Sequence, residues 1–532
     1  MSQTASETPA NPAASLARRI AIAAVLIAAG NIASRVLGLA RESVIAGTFG
    51  TGVDTFTAAS AVPTQLYDLL INGAISAALV PVFSEYAEGD EREFWRVASS
   101  MINLVLLAMA ALAAFLALLA PQVVSVLASG FVGAARAETI LMVRLLLPAV
   151  VLMGLSGLVT ALLYARQRFL LPSFTTSAYN TGIILGALLL APLLGPLSLV
   201  AGVLIGALLQ VLLQLPGLRG MHYRPALDLR HPGVRRIMRL YAPVALGITF
   251  STIGVVIDRT LASRFPSALS AMRYATTLIQ FPLGLVAAAV SFAVLPTLSR
   301  QASAADESAF RRTLGMGLKV VLLLILPATA GLAALAGPIT ALLFERGRFT
   351  SADTLLTAQA LLLYLPGLPA AALDQMLLFA FYAHKRTLAP NLVQGAAIGA
   401  YLLTALPLLA FSNMGFGALV LGNSAQWVSH LLLLLLLSRG LVSLRGLRLG
   451  EALLKSLLGC AAMAGAIVLL ARVLPGGALL RLVLAGGAGA AIYFGVCVLL
   501  RVEALDFFIA VLVRRLRRAR SPEPPPENPA SG

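Results

Sequence analysis

The stretch Asn31–Gly50, "NIASRVLGLARESVIAGTFG", lies in a long apolar run yet carries Arg35, Arg41 and Glu42. On a helix, Asn31, Ser34, Arg35, Gly38, Arg41 and Glu42 fall at i, i+3, i+4 and i+7 spacing, so the polar groups share one face. A charge at the bilayer centre costs at least ~2.5–3.5 kcal/mol on insertion scales, which turns such a face toward a bundle interior or a hydrated cavity. The next segment repeats the pattern with Thr64, Gln65, Asp68, Asn72 and Ser76. Two polar stripes on adjacent helices favour a wet central cavity. The plainer alternative is interhelical glue, with Arg35 paired to Asp68 and Arg41 snorkelling to an interface.

The whole chain supports a membrane setting. Of 532 residues, 59% are hydrophobic and 11% charged, where soluble domains carry about a quarter charged. Apolar runs of about 20 residues follow one another, each enough to cross ~30 Å of hydrocarbon as a helix. The expectation is an all-α polytopic membrane protein with about fourteen transmembrane helices. The spans are 20–47, 54–84, 94–119, 137–164, 172–194, 197–217, 235–262, 268–298, 311–336, 353–382, 388–411, 415–438, 449–471 and 480–512.

Basic residues alternate between loops. The outer set holds only Arg136, Arg264, Arg273, Arg346, Arg348, Arg472 and Arg481, out of 39 Lys and Arg. About 27 crowd the other side, notably in "LRGMHYRPALDLRHPGVRRIMR" (218–239) and "RRLRRAR" (514–520). The positive-inside rule therefore places both termini in the cytoplasm. The net charge of +17 reflects topology and contact with anionic lipid head groups, not nucleic-acid binding. The N-terminal 15 residues lack a signal-peptide layout, and the Pro-rich end 521–532 reads as disordered. Cys460 and Cys497 lie in apolar helices and read as packing residues.

The chain carries an internal repeat. "ISAALVPVFSE" (75–85) aligns with "VSFAVLPTLSR" (290–300), and "YARQRFLLP" (164–172) with "YAHKRTLAP" (382–390). The offsets span six helices, an even number, so the two copies run in the same sense through the membrane. Two six-helix lobes related by a parallel pseudo-two-fold repeat are expected, plus two C-terminal helices. The expected domains are an N-terminal tail (1–15), an N-lobe (16–218), a basic cytoplasmic linker (219–234) and a C-lobe (235–440). The pair of spans 13 and 14 (441–513) and a basic, then Pro-rich tail (514–532) complete them. In the second lobe Asp258 and Arg259 are the central charges of span 7. Asp258 either balances Arg259 or holds a coupling cation. Arg144 in span 4 has no partner evident in the sequence. Asp374 is a further charge in span 10. No metalloprotease, Walker-loop or nucleophile-elbow motif occurs in a fitting context, so no enzyme is expected.

The segments "SRVLGLARESVIAGTFG", "DTFTAASAVPTQLYDLLINGAISAALVPVFSEY", "YATTLIQFPLGLVAAAVSFAVLPTLSR", "LLFERGRFTSADT" and "FYAHKRTLAP" recur in order over the chain. As a set they resemble the MurJ (MviN) family of lipid II flippases, within the multidrug/oligosaccharidyl-lipid/polysaccharide exporter superfamily. The resemblance implies two lobes around a cationic cavity, with spans 13 and 14 forming a groove for a lipid tail. It implies undecaprenyl-pyrophosphate carrying the peptidoglycan precursor as cargo, passed from inner to outer leaflet of the bacterial cytoplasmic membrane by alternating access. It also implies a monomer among membrane lipids, working beside the cell wall synthesis machinery. Arginines suit a diphosphate because they offer fixed, charge-assisted donors.

Carried over residue by residue, Arg35 and Arg41 match the arginines of the family's first span, with Glu42 where Asp is usual. Asp54 matches the acidic residue opening span 2. Asp258 matches an acidic residue associated with cation binding. The coupling ion is open between Na+ and H+, and no other cofactor is implied. Tyr67, Asp68 and Asn72 replace the family's span-2 arginines and glutamate, and Thr277 stands where span 8 usually has arginine. Arg259 or Arg273 is the expected compensation. The cavity set is thus Arg35, Arg41, Glu42, Asp54, Thr64, Asp68, Asn72, Arg259, Arg273 and Thr277. Three other functions fit the residues less closely: export of another polyprenyl-linked saccharide, cation-coupled drug efflux, or a paralogue that no longer transports.

Overall fold

A computed structural model of the chain describes residues 12–506, except 74, 221, 226, 387 and 474–476. Most of the expected N-terminal tail and all of the tail 514–532 lie outside the described residues. The described chain is helical, with no strand, and ten of its helices are long and apolar enough to cross a membrane. Leucines such as Leu454, Leu469 and Leu499 are exposed along them. Exposed apolar side chains in such numbers are stable only against lipid tails.

Residues group into two compact units. The first comprises residues 1–278, 343–360 and 402–420, and the second 279–342, 361–401 and 421–532. In the first unit, the Pro12–Phe49 helix runs unbroken through the opening motif. A Cβ at Gly30 would overlap the backbone oxygen of Ser173, and Gly38 lies against Asn180. Gly30 lets the start of span 1 meet the start of span 5 almost backbone to backbone. In the second unit, Tyr493 donates to the Leu323 carbonyl at 2.9 Å. Cys460 and Cys497 are buried free thiols there. Asp374 meets His430 at 2.6 Å.

The sequence repeat recurs as local structure. Asp90 and Asp306 each cap a 28-residue helix, Glu91–Leu118 and Glu307–Ala334, by accepting a backbone N–H. The Ala309 N–H bound to Asp306 holds that carboxyl below the usual carboxylate range. In "YARQR", Gln167 takes a positive φ of 56°, with Gln167 N–H bonded to the Tyr164 carbonyl and Arg168 N–H to that of Leu163. "YAHKR" does the same with Lys385 at 59°, bonded to Tyr382, and Arg386 bonded to Phe381. Both are Schellman endings built without the usual glycine.

Span 2 departs from the continuous helix expected over 54–84. It consists of Asp54–Ala59, Ala61–Tyr67, π turns at Asp68–Asn72 and Ile75–Leu79, and Val80–Ala87. Span 8 is likewise broken by a π turn at Leu283–Ala287, which lies 215 residues after the first. Each π turn inserts one extra residue, rotating everything beyond it by about 100° at 3.6 residues per turn. The stripe from Thr64 to Ser76 is therefore not one straight face. The linker is tied to the start of span 3. Tyr223 donates to Asn103 at 2.6 Å, Asp228 pairs with Arg96 at 2.9 Å and His231 meets Glu93 at 2.9 Å.

Candidate functional site

The charge on span 1 resolves into a cluster built on Glu42, which is 0% exposed. Arg41 lies on one oxygen of Glu42, with Nη2–Oε1 at 2.6 Å and Nε–Oε1 at 3.0 Å. Arg273 takes both oxygens, with Nε–Oε2 and Nη2–Oε1 each at 2.9 Å. A buried carboxylate is tolerable only when paired and hydrogen-bonded, and Glu42 has two guanidinium partners. Asn180 of span 5 holds the far side of Arg41, accepting from Nη1 at 2.9 Å and donating to the Ser34 carbonyl at 3.1 Å.

Arg273 also lies 5.3 Å over the Phe56 ring and 3.4 Å from the Thr57 hydroxyl. Arg259 donates to the Thr57 carbonyl at 2.9 Å. Arg273 thus links Glu42 and Arg41 on one side to Thr57 and Arg259 on the other. The arrangement is chemically an anion receptor, with planar donors fixed before any ligand arrives. Arg41 and Arg273 keep 23% and 17% of their side chains exposed.

Below this cluster, corresponding positions of the two repeats touch. Thr51 bonds Ser267 at 3.0 Å, Asp54 accepts from Ser270 N–H at 2.8 Å, and Thr57 meets Arg273. Each pair is 216 residues apart. The start of span 2 therefore lies against the start of span 8. The "FERGRFT" motif seats on the end of span 1. Arg348 N–H donates to the Gly47 carbonyl at 2.9 Å, Ser43 donates to the Leu343 carbonyl, and Asp353 accepts from Thr51 at 2.6 Å. Gly347 must be glycine there, with φ +57° and a Cβ position overlapping the Gly47 oxygen.

The expected residues separate accordingly. Arg41, Glu42 and Arg273 come together, and Arg259 reaches them through Thr57. Arg35 is half-buried, two turns earlier on the same helix. Asp54 is committed to Ser270. Thr64 donates to the Ser60 carbonyl at 2.8 Å and Thr277 to the Arg273 carbonyl at 2.9 Å, so both spend their hydroxyl protons on their own helix. Asp68 is half-buried in the first π turn, and the Asn72 side chain lies outside the described residues. Asp258 is half-buried and directly precedes Arg259. Arg144 donates to the Ala117 carbonyl at 3.1 Å. Sequence reasoning missed Asn180, Thr57 and Ser270. The constant offset of the repeat was the signal that could have matched Thr57 to Arg273 and Ser270 to Asp54 across spans 2 and 8.

Two solved structures share this architecture. A structure described as lipid II flippase MurJ in an inward closed conformation has a TM-score of 0.77 at 24% identity, covering 90% of this chain and 99% of that one. An inward-facing multidrug resistance transporter of the MATE family has a TM-score of 0.66 at 12% identity, covering 78% and 95%. The fold is thus that of a multi-pass helical membrane protein of the kind these transporters adopt. At the sequence level, the family described as Lipid II flippase MurJ matches residues 45–484. The lipid II flippase MurJ of Burkholderia cenocepacia is 32% identical over 428 residues, covering 77% of this chain and 82% of that protein. The probable lipid II flippase MurJ of Vibrio cholerae is 31% identical over 452 residues, covering 78% and 85%. This chain belongs to the lipid II flippase MurJ family.

Proposed function

We propose that this protein carries lipid II from the inner to the outer leaflet of the bacterial cytoplasmic membrane. The observation that supports this reading most directly is the preorganised pairing of Arg41 and Arg273 on Glu42, with Arg259 on the neighbouring Thr57 carbonyl, in a chain of this family. Glu42 sets the arginines' planes, so binding a diphosphate costs little side-chain ordering. The two guanidinium groups outnumber the one carboxylate they share, and between packed helices their attraction for a diphosphate is less screened than in bulk water. The prenyl chain stays in lipid while the polar head moves past the arginines, so the transported charge is never left unpaired.

Alternating access supplies the movement, with Asp258 beside Arg259 as the candidate position for a coupling cation, Na+ or H+. Both termini are cytoplasmic in this scheme, fourteen helices span the membrane, and the protein works as a monomer feeding the cell wall synthesis machinery. The test is complementation. In cells depleted of their own lipid II flippase, this protein should restore growth and the exposure of lipid II on the outer leaflet. Membrane expression without restored exposure would remove lipid II as cargo and leave another polyprenyl-linked saccharide.

A further inference from the structure

The second compact unit has a charged recess far along the chain from the arginine cluster. It has a volume of about 240 Å³ and lies where the Leu449–Val473 helix begins and the Ala478–Leu499 helix ends, the same end of an antiparallel pair. Its walls carry both signs: Lys319, Arg448, Lys455 and Arg501 against Glu451, Glu503 and Asp506. Lys319 is 7% exposed and pairs with Glu503, and Lys455 pairs with Glu451 at 2.7 Å. Arg448, Arg501 and Asp506 line the recess outside these pairs. Arg448 and Arg501 both hold a positive φ, 51° and 49°, a conformation side chains avoid unless the surroundings impose it.

Next to the recess, the same helix pair is apolar and exposed, at Leu454, Leu457, Leu458, Val498 and Leu499. A ligand here meets cations, carboxylates and a greasy face within one molecule's length. A free phosphate uses only the cations and an acyl chain only the face. A lipid with a purely anionic head group uses cations and face but brings its charge against Glu503 and Asp506. A zwitterionic aminophospholipid uses all three.

We propose that this recess binds the head group of phosphatidylethanolamine, with the phosphate on Arg448 and Arg501, the primary ammonium on Asp506, and the acyl chains along the Leu454–Leu458 face. The proposal is independent of the cargo. With the termini inside, the site lies at the cytoplasmic surface and takes a resident lipid of that leaflet.

The experiment is native mass spectrometry of the full chain released from detergent, titrated with phosphatidylethanolamine, phosphatidylcholine and phosphatidylglycerol of identical acyl chains. Phosphatidylethanolamine is expected to be retained about tenfold more tightly than the other two, the weight of one charge-assisted hydrogen bond. Arg448→Gln with Arg501→Gln should lower that retention about tenfold. Asp506→Asn alone should remove the preference over phosphatidylcholine while leaving binding intact. Because that preference is a ratio within one preparation, it is readable even if the double variant folds poorly. Equal retention of the three lipids, an unchanged preference in Asp506→Asn, or displacement of the bound lipid by a polyprenyl diphosphate would overturn the proposal.

Discussion

Replacing Glu42 with Gln tests the site's architecture at its centre. Glu42 is fully buried and receives two contacts from Arg41 and two from Arg273, all between 2.6 and 3.0 Å. Breaking a buried ion pair by removing one partner costs ~3–5 kcal/mol. Glutamine keeps one acceptor oxygen and both arginines are partly exposed, which puts the loss at the low end, about 3 kcal/mol. The assay is equilibrium unfolding of the purified protein in mixed micelles, on Glu42→Gln, Arg273→Gln and the double variant. Residues in one charge network couple by ~0.5–3 kcal/mol. One hydrogen bond and one further ion-pair contact join this pair, so the double variant should be more stable than the sum of the singles predicts, by about 2 kcal/mol. Glu42→Gln within about 0.5 kcal/mol of wild type, or additive costs, would refute the claim that a buried carboxylate organises the arginines.

Other perturbations test the frame that holds the site. Gly30→Ala places a methyl into the Ser173 backbone and should cost ~1–3 kcal/mol in the same unfolding assay by prising span 1 from span 5. Gln167→Gly and Lys385→Gly, at equivalent left-handed positions, should each stabilise by about 1 kcal/mol. Unequal responses would mean the two copies do not share their helix endings. Asn180→Leu should leave the protein folded but lower flipping, measured as lipid II exposure in complemented cells, because Arg41 loses the acceptor that aims it.

Much of this architecture was legible in the sequence because it follows from composition and period. Uniform apolar runs dictated helices, the 3.6-residue spacing from Asn31 to Glu42 dictated a polar face, and "YARQR" and "YAHKR" announced a repeat that returns as the same helix ending. The π turns at 68–72, 75–79 and 283–287 were not legible. Inserting a residue leaves hydropathy unchanged while turning the later side chains away from the predicted stripe. Nor could spacing show that Glu42 pairs with an arginine 231 residues away, since long-range pairing has no local signature. Thr64 and Thr277 looked like cavity groups, but a hydroxyl in a helix can bond to the carbonyl one turn back, and both do.

The central claim is that the Arg41–Glu42–Arg273 cluster recognises a diphosphate. Its most direct measurement is the affinity of the purified protein for undecaprenyl diphosphate against undecaprenyl monophosphate, in wild type and Arg273→Gln. The account predicts that wild type prefers the diphosphate at least about tenfold and that Arg273→Gln loses that preference. Equal affinity for the two lipids in wild type, or an undiminished preference in Arg273→Gln, would contradict it.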